Sequence, residues 1–228
     1  MPLPRLYAAS VEPLKDDLLF ARAFQAASPA RREKTARLVR PEDQRLSLGA
    51  EMLLNKALSD AGAALPVQTE TGPFGKPYVP GLGFGFNLSH SGIYVLCAVC
   101  AGETGCDVEK IESAPLDVAR RFFSREEYLD IEGQPTPDAR NERFFRYWTI
   151  RESYMKAIGC GLSLPQNAFR VRLGGKSDVL PNEGGYSVRE FRCIPGYCAA
   201  MCAAEDLSEA EFVWVSLSQV LPAPSFPD

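Results

Sequence analysis

Two acidic residues in the stretch GCDVEK (105–110) have the spacing of a cation site. In a β-strand, residues two apart point to the same face, so Asp107 and Glu109 would present two carboxylates at one place. Like charges placed in this way repel each other. A hard cation such as Mg²⁺ would relieve the repulsion, because it binds one or two carboxylates and fills its other positions with water and substrate phosphates. The alternative is an acidic strand end that faces solvent.

A third carboxylate lies in WTIRESYMKAIG (148–159), which has the pattern of a helix. At 3.6 residues per turn, Glu152 falls on the apolar stripe of Phe144, Trp148 and Met155, with Lys156 one turn further along. A carboxylate among apolar side chains is costly unless a partner satisfies it. An i,i+4 pair of Glu152 with Lys156 would explain an exposed face better than an apolar one. We therefore predict that Glu152 supplies a third oxygen ligand and that Lys156 binds a phosphate.

The single histidine of the chain, His90, lies between two serines in FNLSHSG (86–92). In isolation, a histidine in such a position is most simply a structural residue. A serine hydrolase that uses Ser89 or Ser91 with His90 and Asp107 is an alternative. It is disfavoured, because neighbouring residues of a strand point to opposite faces and the chain has no G-x-S-x-G motif.

The elements that must position these residues follow from hydrophobic periodicity and from Gly and Pro punctuation. Helical patterns cover four segments, the second of which ends at Gly62: 13–40, 42–61, 116–131 and 137–158. Strand patterns cover 3–8, several short runs between 67 and 108, and the later runs FRVRL, YSVREFRCI, YCAAMCAA and EFVWVSL. Helices precede strands twice, which predicts an α+β fold of two similar halves, residues 1–101 and 102–228.

Bulk composition points to a cytoplasmic globular protein. The chain has 228 residues, of which 46% are hydrophobic, and no apolar run approaches the roughly 20 residues that span a bilayer. Its start lacks the apolar segment of a signal peptide. A net charge of −4 gives no support for a nucleic-acid partner. The seven cysteines show no disulfide spacing, so we predict free thiols. The CxxC pair Cys97 and Cys100 would point to opposite faces of a strand, which favours packing over joint metal binding for this pair.

Two further segments have both a structural and a functional interpretation. SPARREKTAR (28–37) contains four basic residues behind Ser28 and Pro29, which suit a helix start, and it could be a solvated helix face or an anion site. Ser124 to Glu127 match a capping box, which accounts for Glu127 structurally and leaves it a secondary functional candidate.

Taken in order, the motifs GKP, FNLSHSG, GCDVEK, RFFSREEY and W-x-x-R-E-S-x-x-K-A-x-G-x-G-L resemble the signature of the 4′-phosphopantetheinyl transferases of the Sfp type. The match runs from about residue 28 to about residue 164. The resemblance implies a pseudo-twofold α+β fold with coenzyme A and Mg²⁺ between two halves. It also implies transfer of the phosphopantetheine arm to a serine of an apo acyl or peptidyl carrier protein by a cytoplasmic monomer, with adenosine 3′,5′-bisphosphate as the second product.

The resemblance also assigns roles to residues of this chain. It places Arg31, Lys34, Arg45, Lys76, Ser89, His90 and Lys156 on coenzyme A. It makes Asp107, Glu109 and Glu152 the Mg²⁺ ligands, with Glu152 also the base and with Asp107 and Lys156 catalytic. Two phosphates near His90 could hold its imidazole protonated.

The chain departs from the family pattern at Arg151, where lysine is common, so the role of this position stays open. The resemblance also suggests a carrier surface at Ile111 and Ala119–Phe123, for which a buried amphipathic helix is the alternative.

Overall fold

The computed structural model describes residues 3–161, 164, 168–175, 177–181 and 184–221. Its strands are β1 (Arg5–Ser10), β2 (Glu70–Thr71), β3 (Pro77–Tyr78), β4 (Gly85–Ser91), β5 (Tyr94–Cys100), β6 (Thr104–Lys110), β7 (Arg170–Arg172), β8 (Asp178–Leu180), β9 (Ser187–Glu190), β10 (Tyr197–Ala203) and β11 (Glu211–Trp214). Its α-helices are α1 (Asp17–Ala26), α2 (Pro29–Ala36), α3 (Pro41–Asp60), α4 (Leu116–Phe122), α5 (Arg125–Glu132), α6 (Pro137–Ile158) and α7 (Leu217–Val220). The α+β class is confirmed.

Two sheets and two long helices form four layers. The first sheet has the order β11-β1-β5-β4 and the second the order β6-β10-β9. Helix α3 covers the outer face of the first sheet, α6 covers the outer face of the second, and a shared apolar core fills the space between the sheets. Residues of that shared core include Leu6 and Leu96 from the first sheet and Val108 and Met201 from the second.

Local capping decides where the helices begin and end. The Ser28 side chain accepts the amide of Arg31, and Thr136 accepts the amide of Ala139, each ahead of a proline in the first turn. Gly159 ends α6 in the left-handed conformation, with φ of 71°. The long helices therefore begin and end close to the predicted positions.

The predicted helical segment 13–40 is not continuous. It divides into a 3-10 helix (Glu12–Lys15), α1 and α2. Asp16 caps α1 by accepting the amide of Leu19, and Ser28 caps α2, so two side chains start new helices inside the segment.

The end of the chain returns to the first sheet. Strand β11 pairs in parallel with β1, Arg5 opposite Glu211, and Leu217 of α7 is fully buried in the core under α3. The division into halves at residue 102 stays a prediction. Residues 211–220 belong to the predicted second half but pack with the first sheet.

Five of the seven cysteines are packed in the interior, whereas Cys160 is half-buried and Cys193 is exposed. All seven are free, and Cys97 and Cys100 lie in different cores on opposite faces of β5. Within the described residues, none of the helices combines the length and the apolar character that crossing a bilayer requires.

Candidate active site

Polar side chains join the two sheets where β4 and β6 run side by side. Three amides of β6 donate to side chains of β4: Cys106 N to Asn87 Oδ1 (2.9 Å), Val108 N to Ser89 Oγ (3.3 Å) and Lys110 N to Ser91 Oγ (3.1 Å). The partners recur at every second residue of both strands, as the alternation of strand side chains requires. We call this set of three bonds the seam.

The two serines of the seam also bind the predicted carboxylates. Ser89 Oγ donates to Asp107 Oδ1 at 2.8 Å, and Ser91 Oγ donates to Glu109 Oε2 at 2.8 Å. Each hydroxyl therefore accepts an amide proton and directs its own proton at an acidic side chain. This arrangement argues against a hydrolase in which either serine is activated by His90.

Gly105 allows α6 to approach β6 closely enough for Lys156 to reach the carboxylates. A Cβ atom at Gly105 would lie 2.1 Å from the Ser153 carbonyl oxygen and 2.4 Å from the Ala157 nitrogen, so only glycine fits. Lys156 Nζ donates to Asp107 Oδ1 at 2.6 Å. The predicted lysine and aspartate are thus in direct contact.

Asp107 is the most deeply buried acid of the cluster, with 3% of the residue exposed. Burial raises its pKa, while the Lys156 ammonium and the Ser89 hydroxyl oppose the rise. Its second oxygen, Oδ2, is buried and has no hydrogen-bond partner. A buried carboxylate oxygen without a partner is costly, and a cation is one group that would satisfy it.

Glu109 and Glu152 are electrostatic neighbours of Asp107. Burial raises the pKa of each glutamate, and the Asp107 charge raises it further. Lys156 pairs with Asp107 and not with Glu152, so the simple i,i+4 pair does not account for Glu152. In the part of the chain that is described, no three His, Cys, Asp or Glu side chains are already arranged to hold an ion. The donor chemistry suits a hard cation, and the ligand set Asp107, Glu109 and Glu152 stays a prediction.

His90 lies on the other side of β4 from the two serines and is exposed, whereas Ser89 is buried. Partial desolvation of its ring by the neighbouring elements and the charges of Lys156 and Lys34 lower its pKa, against the opposing effect of Asp43. Lys34 of α2 and Lys156 of α6, both predicted to bind phosphate, thus lower the pKa of the same imidazole. The negative charge of a bound phosphate would raise the pKa of His90 again.

Comparisons with known proteins agree with the geometry. Residues 103–202 match the family model described as the 4′-phosphopantetheinyl transferase superfamily. A 4′-phosphopantetheinyl transferase of Bacillus subtilis is 38% identical over 192 residues, which cover 80% of this chain and 84% of the relative. This chain belongs to the 4′-phosphopantetheinyl transferase superfamily. The 4′-phosphopantetheinyl transferase Sfp of Bacillus subtilis strain 168 is 34% identical over 85% of this chain and 89% of its own length.

Among solved structures, the transferase matches the Thermotoga maritima holo-[acyl-carrier-protein] synthase with a TM-score of 0.37 and 18% identity, over 44% of this chain and 61% of that chain. This likeness is too weak to argue from. The curated relatives give the function directly, and it is phosphopantetheinyl transfer.

Besides Lys34 and His90, three more residues that the resemblance assigns to coenzyme A lie outside the contact set around Asp107. In this transferase, Arg31 Nε pairs with Glu51 Oε2 of α3 at 2.9 Å, and Arg45 is half-buried on α3. Lys76 Nζ donates to the Ala157 carbonyl at 3.1 Å, in the last turn of α6, where a cation suits the helix dipole. Their roles toward coenzyme A stay predictions.

The transferase contains a buried ion pair that the sequence did not predict. Arg151 Nη1 lies 3.0 and 3.1 Å from the two carboxylate oxygens of Glu127. The same carboxylate accepts the amides of Ser124 (2.6 Å) and Val171 (2.5 Å), and the guanidinium lies 4.3 Å from the centroid of the Phe169 ring. The capping box is confirmed. Glu127 and Arg151 therefore fasten α5 and β7 to α6, which gives both residues a structural role.

Proposed function

We propose that this transferase moves the 4′-phosphopantetheine arm of coenzyme A to a serine of an apo carrier protein in a Mg²⁺-dependent reaction. The observation that carries the proposal is the contact of Lys156 with Asp107 next to the unsatisfied Asp107 Oδ2. An ammonium beside buried carboxylates offers both a phosphate contact and oxygen ligands for a hard cation. Phosphoryl transfer requires mainly such positioning and charge stabilisation.

Asp107, Glu109 and Glu152 would hold Mg²⁺, which supplies charge neutralisation at the diphosphate when bound. Lys156 offsets the negative charge that develops on the leaving phosphate. His90 and Lys34 bind the phosphates of coenzyme A from the other side of β4.

Glu152 takes the proton of the carrier serine as the general base. The serine oxygen then forms a bond to the phosphorus that bears the pantetheine arm. The bond from that phosphorus to the bridging oxygen breaks, and the electron pair leaves with adenosine 3′,5′-bisphosphate.

Mass spectrometry of an apo carrier incubated with the transferase, coenzyme A and Mg²⁺ tests this proposal. The carrier should gain the mass of one phosphopantetheine group, and the gain should disappear with EDTA. Glu152→Gln should abolish it, whereas Glu142→Gln, an exposed glutamate on the same helix, should leave it intact. Absence of a mass change with several fatty-acid and peptide-synthetase carriers, despite a folded protein, would favour a coenzyme A or carrier binder without activity.

Only part of the predicted carrier surface is exposed. Ala119 and Phe123 are buried in the third core and cannot contact a partner, which corrects that part of the prediction. Arg120 and Arg121 are exposed and remain suited to an acidic carrier helix. If Arg120→Glu and Arg121→Glu leave the KM for the carrier unchanged, this surface is not the docking site. A cytoplasmic monomer remains part of the proposal, and sedimentation velocity tests the monomer.

A further inference from the structure

Ser91 has no role in the motifs that the resemblance assigns, yet it contacts one of the predicted ligands. Its Oγ lies 2.8 Å from Glu109 Oε2 and 3.1 Å from the Lys110 nitrogen. We infer that Ser91 is a positioning residue for Glu109. Together with Ser89 on Asp107, it fixes one oxygen of each carboxylate of the acidic strand.

The direction of these hydrogen bonds is fixed by the backbone. The Lys110 amide can only donate, so it uses an acceptor lone pair of Ser91 Oγ and leaves the single hydroxyl proton for Glu109. The Glu109 oxygen Oε2 is thereby held and Oε1 remains available to a ligand.

The same arrangement occurs two residues earlier. Ser89 accepts the Val108 amide and donates to Asp107 Oδ1 at 2.8 Å. Ser89 and Ser91 of the first sheet therefore lie in register with Asp107 and Glu109 of the second. A shift of β4 along β6 by one residue would break both serine–carboxylate hydrogen bonds. Asn87 continues the seam, where its side-chain oxygen accepts the Cys106 amide. Unlike the two serines it has no hydroxyl proton to donate to an acid, so we assign it only the role of joining the two sheets.

The inference rests on the proposed Mg²⁺ dependence. Residues that hydrogen-bond to a metal ligand typically change metal affinity by about 10- to 100-fold when they are removed. For Ser91→Ala we therefore expect the Mg²⁺ concentration that gives half-maximal carrier loading to rise about 10-fold or more. The rate at saturating Mg²⁺ should change much less, because Glu109 itself is retained.

The experiment compares wild type, Ser91→Ala, Ser91→Thr and Asn87→Ala. Carrier loading is titrated with Mg²⁺, and Mn²⁺ binding in the presence of coenzyme A is measured separately by electron paramagnetic resonance, with coenzyme A alone subtracted. Ser91→Thr keeps the hydroxyl and should restore most of the affinity for both ions. Asn87→Ala should lower the Tm and leave the Mg²⁺ midpoint near that of wild type. If Ser91→Ala does not fold, Ser91→Cys, which replaces the hydroxyl with a weak donor of similar size, takes its place.

Three negative results are distinguishable. A wild-type reaction that is independent of divalent cations would overturn the proposed Mg²⁺ role and this inference with it. A wild-type reaction that needs Mg²⁺, combined with a Ser91→Ala midpoint and Mn²⁺ affinity equal to those of wild type, would overturn the role of Ser91 alone. Equal shifts in Ser91→Ala and Asn87→Ala would also overturn it, because the effect would then belong to the seam as a whole.

Discussion

Replacing Gly105 with alanine should disable the transferase through the position of a helix. The new Cβ would lie 2.1 Å from the Ser153 carbonyl oxygen and 2.4 Å from the Ala157 nitrogen, both in the backbone of α6. Contacts of this kind are comfortable only beyond about 3.5 Å, so α6 must withdraw from β6 by on the order of 1 Å. Lys156 is carried by the same turn of the helix, and its bond to Asp107 is 2.6 Å long. A withdrawal of that size lengthens the bond beyond the range of a good hydrogen bond.

Two magnitudes follow for Gly105→Ala. Overpacking should lower the free energy of unfolding by about 1–3 kcal/mol. Misplacement of reactive groups by about 1 Å can reduce the rate on the order of 100-fold, so kcat/KM for carrier loading should fall by a similar factor.

Urea denaturation and steady-state loading assays measure the two effects of Gly105→Ala. Gly102→Ala is the matched control, because a Cβ there would meet only the Ala204 side chain, at 3.9 Å. The control should retain activity. Wild-type stability and wild-type loading in Gly105→Ala would refute the argument that the close approach of α6 to β6 positions Lys156.

The buried pair and the histidine yield further predictions. Removing one charge, by Glu127→Gln or by Arg151→Met, should cost about 3–5 kcal/mol, and the double variant should cost less than the sum, as measured by denaturant unfolding. Additive losses would show that the two side chains do not interact. Lys156 and Lys34 help to lower the pKa of His90 below 6.5, so the free imidazole is mostly neutral at pH 7. Coenzyme A should therefore bind with proton uptake and more tightly as the pH falls toward 6.5. Calorimetry in buffers of different ionisation enthalpy should detect the uptake in wild type and not in His90→Gln, and equal heats in all buffers would contradict the phosphate role.

The sequence predicted which residues form the site more accurately than it predicted which of them contact each other. Spacing alone placed Asp107 and Glu109 on one face, and helical periodicity placed Glu152 and Lys156 one turn apart. Periodicity also allowed an i,i+4 pair of Lys156 with Glu152, whereas the ammonium binds Asp107, 49 residues away. Whether Lys156 binds Asp107 or Glu152 depends on how closely α6 approaches β6. Gly105 permits that approach, and no local sequence pattern shows it.

The fold shows the same division between local and distant determinants. The proline start of α6 and the capping box of α5 are local signals, and the structure has them where they were predicted; α3 begins one residue before its predicted start, at Pro41. Among the later strand runs, FRCI (191–194) lies outside β9, and EFVWVSL contributes only Glu211–Trp214. Strand ends depend on the neighbouring strand, so their lengths cannot be read from propensity alone.

The return of residues 211–220 has a consequence for how the protein must be made. Strand β1 is synthesised about 200 residues before β11, which is one of its two neighbours, and the core under α3 lacks Leu217 until α7 is present. The first sheet can reach its final form only after residues 211–220 have left the ribosome. Separate expression of residues 1–101 would yield a sheet with an open edge, prone to associate with other chains.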